Sequence, residues 1–84
     1  MNGYYEVGEK LIDAYISILE YQTLDRKDEY KVRLNVKQCV GLILKYSGKL
    51  PDLLVKELNF LFQSAEELPI SELIIRFDTA VHEI

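Results

Sequence analysis

One cysteine, Cys39, and one histidine, His82, are all the chain has of either residue, and those scarcities remove most metal and thiol chemistry at once. A single thiol cannot close an intrachain disulfide, which agrees with a reducing compartment. Structural zinc sites of the Cys/His kind draw four ligands from such residues, so none can be assembled. Nucleophilic catalysis fares no better, because Cys39 falls on an apolar face of its segment and His82 sits near the chain end. There is no Gly-rich phosphate loop, no low-complexity tract and no apolar run approaching the ~18 residues of a membrane span. The start, Met1 to Glu6, lacks the basic region and apolar centre of a secretion signal. The sequence therefore predicts a cytoplasmic, non-enzymatic protein without metal or cofactor.

What the chain does contain is apolar surface. At 49% hydrophobic and 29% charged it has the composition of a folded domain rather than a disordered tail. Its 84 residues suffice for one domain with one core. Charge is segregated along it. Residues 1–25 carry five acids against the single base Lys10, residues 26–49 carry seven bases against two acids, and residues 50–84 carry seven acids against two bases. One reading is a basic second helix packed between acidic neighbours; the other is an acidic face that docks a basic partner.

Four stretches place polar residues at gaps of four and three: Glu6, Lys10, Asp13, Ser17, Glu20; Lys31, Asn35, Gln38; Asp52, Lys56, Asn59, Gln63; and Glu72, Arg76, Thr79, Glu83. A helix turns once in 3.6 residues, so each line marks a solvent-facing stripe with apolar residues around it. The pattern predicts an all-α, antiparallel four-helix bundle-like domain with helices over 4–22, 26–46, 51–64 and 70–83. Inward residues include Tyr4, Val7, Leu11, Ala14, Tyr15 and Ile18 in helix 1, with Tyr5, Ile12, Ile16 and Leu19 widening that set. Asn2 or Gly3 can cap helix 1, Thr23 or Asp25 can cap helix 2, and Gly48 can end helix 2 before Pro51 opens helix 3. Internal Gly8 and Gly41 are candidate points of close helix crossing.

Helices 1 and 3 have wider apolar arcs than one four-helix core needs, and the six tyrosines cluster toward the N-terminal side. Area that one copy cannot cover implies a partner protein or a homodimer. The expected function is a non-catalytic protein-binding module. In size, acidity and arrangement the chain resembles the small helical immunity proteins that protect bacteria from toxins, and equally helical secretion chaperones; the resemblance implies an immunity factor, inhibitor, chaperone or regulator acting on a basic toxin or secreted client. Expected partner contacts are Glu6, Glu9, Asp13 and Glu20, with Tyr5, Phe60 and Phe62 as apolar anchors. The alternative is a nucleic-acid-binding regulator using helix 2, with Lys31, Arg33, Lys37 and Lys45 on phosphates. Against it, the segment after the Gly-containing turn is too apolar to read bases. A membrane-surface role is not expected, because only helix 2 has a basic polar face.

Overall fold

A computed structural model describes residues 3–25 and 28–84. Among them are four α-helices and no strand: α1 (Gly3–Glu20), which runs on as a π-helical turn over Tyr21–Asp25, α2 (Glu29–Tyr46), α3 (Asp52–Ser64) and α4 (Ile70–His82). The expected all-α four-helix architecture is the observed one. The proposed cap at Asn2, the inward side chain of Tyr4, the side chain of Asp25 and a helix 2 start at Arg26 lie outside the described residues.

Helix ends follow from local chemistry. The Asp28 carboxylate accepts the Lys31 backbone N–H at 3.1 Å and caps α2. Thr23, the other candidate cap, instead donates its hydroxyl to the Leu19 carbonyl at 2.7 Å. That carbonyl is the acceptor Thr23's own N–H would use in a regular α-helix, and the chain, expected to leave the helix after Gln22, continues as a π turn to Asp25. Gly48, with φ +37°, takes the left-handed turn that ends α2. Pro51 and Pro69 occupy the cap positions just before α3 and α4, one residue ahead of the first-turn placement expected for Pro51.

α2 packs against all three other helices, and its apolar seam Val32, Val36, Cys39, Val40 and Ile43 is buried. Contacts fix an antiparallel order. The first half of α2 meets the end of α1 through Lys31–Glu20 and the turn after α3 through Lys37–Glu66, while Leu53 near the start of α3 shares a groove with Ala80 and Glu83 at the end of α4. Arg33 ties the α3–α4 connection to α2: its guanidinium donates to the carbonyls of Ala65 at 3.0 Å and Leu68 at 2.7 Å, and to Glu29 at 3.2 Å.

The two internal glycines behave differently. A Cβ on Gly41 would stand 3.0 Å from the Phe62 ring, so Gly41 is where α3 closes on α2. A Cβ on Gly8 would meet nothing within 4 Å, and the close crossing expected there does not occur. Gly8→Ala is accordingly expected to stabilise the domain by about 0.5–1 kcal/mol through the unfolded chain's lost freedom. A thermal unfolding midpoint at or below that of the parent would contradict this.

The stripe expected on α1 needs one correction. Ser17 is buried, not solvent-facing, because its hydroxyl donates to the Ala14 carbonyl at 2.7 Å and so needs no water. Lys10 is half-buried beside it. The outward direction of α1 is thus rotated, and Tyr5, Ile12, Ile16 and Leu19 are exposed instead of joining the core.

Candidate functional site

Each residue advances about 100° around an α-helix, so positions 19, 12, 5 and 16 fall within one arc of about 60°, and positions 9, 20, 13 and 6 fall in the next. The outer side of α1 therefore presents two parallel lines: an apolar one of Leu19, Ile12, Tyr5 and Ile16, and an acidic one of Glu9, Glu20, Asp13 and Glu6. The apolar line is open to solvent, with Tyr5 at 66%, Ile12 at 61% and Leu19 at 59% exposure. Isolated exposed hydrophobics are ordinary, but four in register on one helix form a patch.

The patch extends over α4. A groove of about 420 Å³ between the helices is lined by Tyr15, Ile18, Leu19 and Gln22 from α1 and by Ile74, Ile75, Asp78 and Thr79 from α4. Ile75, on the outer ridge of α4, is as exposed as the α1 residues and also borders the α3–α4 groove, where Leu53 lies open. On the other flank of α1, Glu6, Glu9, Lys10, Ile12 and Asp13 line a groove of about 400 Å³ closed by Leu42 of α2.

Tyr15 fixes the α1–α4 spacing. Its ring leans on Phe77 with centroids 5.6 Å apart, and its hydroxyl donates to Asp78 Oδ1 at 2.6 Å. Burial, then the bond to Asp78 and its charge, hold this phenol well above its usual range, and burial pushes the Cys39 thiol up to about 11. Cys39 is fully buried and packs as a small apolar residue. Both groups stay neutral in the fold, whereas the unfolded chain releases their protons from about pH 8.5 and 10. Stability is therefore complete below about pH 8.5 and falls as pH rises toward the folded-state values. Tyr15→Phe is expected to lower the neutral-pH stability by about 1 kcal/mol, for the lost hydrogen bond, yet flatten the decline above about pH 10. Denaturant midpoints between about pH 8 and 11 test this; parallel curves for the two proteins would refute it.

The structure brings together Tyr5, Glu6, Glu9 and Asp13 from the expected contact set, with Glu20 two turns further along and 3.3 Å from Lys31. Phe60 and Phe62 do not join them. Phe60 lies under the Arg76 guanidinium, 4.9 Å from the ring centre, and Phe62 lies under Lys37 at 5.3 Å. Each half-exposed ring is thus covered on one side by a cation of its own chain. The residues that sequence reading missed as surface are Ile12, Ile16, Leu19 and Ile75; the available signal was that the first three lie opposite Val7, Leu11, Ala14 and Ile18 on the helical wheel.

The basic candidates on α2 are engaged within the fold. Arg33 is mostly buried on backbone carbonyls, Lys31 pairs with Glu20, Lys37 pairs with Glu66 at 3.4 Å, and Lys45 lies over the Tyr46 ring at 5.1 Å. Among the described residues, no group of three or more His, Cys, Asp or Glu is arranged to hold a metal ion, and no helix is long and apolar enough to cross a membrane. Comparison with models of known protein families, with curated proteins and with solved structures gave no match.

Proposed function

We propose that this chain is a non-catalytic protein-binding module whose contact surface is the outer side of α1, and that it acts as an immunity factor, inhibitor, chaperone or small regulator toward a basic partner. The observation that carries this reading is the apolar line of Tyr5, Ile12, Ile16 and Leu19 standing open beside the acidic line of Glu6, Glu9, Asp13 and Glu20. Apolar side chains supply binding free energy on burial, and the neighbouring acids supply steering and register. Each of the four basic candidates on α2 already has an intramolecular contact, and nothing there favours nucleic acid over protein.

The reading is tested by affinity capture with the parent chain and with Ile12→Glu/Ile16→Glu, followed by reconstitution from purified components. A protein retained by the parent and lost with the variant supports it. With that partner, Glu9→Lys/Asp13→Lys is expected to slow association about ten-fold or more at low salt and much less at high salt. A partner bound equally by parent and both variants, or none recovered by the parent, counts against it.

A further inference from the structure

We infer that the surface of α1 and α4 is shaped for an amphipathic helix of a different protein, one that carries Lys or Arg along one edge. This rests on the protein-binding reading above and deepens it by naming the kind of segment bound. The apolar line runs from Tyr5 to Leu19, a rise of about 21 Å at 1.5 Å per residue, so it is about four turns long. Beside it the α1–α4 groove is walled by Leu19 and Ile75. An apolar ridge and groove of that length match the i, i+3, i+4, i+7 anchors of a helix laid alongside. Binding by strand addition needs a sheet edge, and there is no strand among the described residues to offer one.

Charge selects the occupant. Glu9, Glu20, Asp13 and Glu6 run along one flank of the apolar line only. Among the described residues Glu6 and Glu9 enter no ion pair, Asp13 has Lys10 at 3.9 Å, and Glu20 has Lys31. The other flank has Gln22 and Thr79, and its charged group is Asp78, with His82 3.5 Å from it. A helix whose basic edge follows the acidic flank satisfies this asymmetry. A second copy does not. Antiparallel self-pairing through this face sets the two acidic lines on the same flank, and parallel pairing sets each against Asp78, so neither arrangement brings a Lys or Arg of α1 or α4 to Glu6 and Glu9.

The test uses three synthetic peptides of about eighteen residues: a helix with a leucine face and one lysine edge, a scrambled peptide of the same composition, and the first peptide with glutamate in place of lysine. Binding to the full chain is read by fluorescence anisotropy at low and moderate salt. The amphipathic cationic peptide is expected to bind at least about ten-fold more tightly than either control. Ile16→Glu and Ile75→Glu are each expected to weaken it about ten-fold or more, and Glu9→Lys/Asp13→Lys to weaken it and flatten its salt dependence. All four positions are at the surface, and unchanged helical circular dichroism verifies that the variants fold. Equal binding of the peptides, no binding of any, or binding retained by Ile16→Glu would overturn the inference. So would a dimer in sedimentation that Ile16→Glu dissociates. A captured partner that contacts α1 through a segment other than a helix would defeat this inference and leave the broader binding role standing.

Discussion

Phe77→Ala is expected to remove a large share of the domain's stability at ambient temperature. Phe77 is fully buried on the inner side of α4 among Leu73, Ala80 and the residues of the α2 seam, and its ring supports Tyr15. Truncating a buried phenylalanine costs about 3–5 kcal/mol, from lost transfer free energy and from the cavity left behind. A domain of this size has a total stability of about 4–12 kcal/mol, so one such change removes a quarter or more of it and can remove all. The loss reaches the candidate site as well, because Tyr15 leans on this ring and its hydroxyl ties α1 to Asp78. Urea unfolding followed by circular dichroism should show a transition displaced to clearly lower denaturant, or none where the loss exceeds the parent's stability. Phe77→Leu should fall between parent and alanine. A loss under about 1.5 kcal/mol for the alanine variant would mean that α4 is not packed as described.

The second large effect is expected at Arg33. Its guanidinium donates to two backbone carbonyls at the end of α3 and in the following turn, and its side chain is 17% exposed. Removing it leaves the Ala65 and Leu68 carbonyls without that donor in a half-buried connection, and bonds to a charged donor are worth about 1.5–3 kcal/mol each before compensation by water. Arg33→Ala should therefore cost about 2–4 kcal/mol and loosen the α3–α4 turn, visible as faster amide hydrogen exchange around Ala65 and Leu68. Lysine should not restore it, since one ammonium on a flexible stem cannot reproduce the planar fork. Were Arg33 a phosphate contact, Arg33→Ala would leave stability nearly unchanged and weaken nucleic-acid binding instead. Exchange rates unaltered in that turn would contradict the structural role.

The polar lines of α3 and α4 were readable because their outward residues are long, charged or amide-bearing side chains whose groups need water: Asp52, Lys56, Asn59 and Gln63 are all exposed. The seam of α2 was readable for the complementary reason, Val32, Val36, Cys39 and Ile43 having no use for solvent. α1 resisted the same reading at Ser17. A serine hydroxyl can bond the carbonyl three residues back, so its polarity gives no information about which way it faces. Once that residue is turned inward, the whole outward direction rotates and the apolar line comes to the surface. Ile75 stands about 160° from the buried Phe77 around α4, on the side of Asp78, Thr79 and His82, so the same wheel that placed the polar line of α4 outward places it outward too. Arg33 was illegible: a base on α2 looks alike whether its target is a phosphate or a carbonyl on α3. The separation of Phe60 and Phe62 from the acids of α1 likewise follows from helix placement, with Arg76 and Lys37 each lying over one ring.

The outer side of α1 is the proposed surface for another protein. The measurement that reaches it most directly is an NMR footprint of the full chain with its captured partner, following the amides and methyl groups of α1 and α4. Shifts and protection concentrated at Ile12, Ile16, Leu19 and Ile75, with Glu9 and Asp13 at the margin, are what the arrangement predicts. A footprint confined to α2 and the Phe62 side of α3, with those isoleucines unmoved, would contradict it.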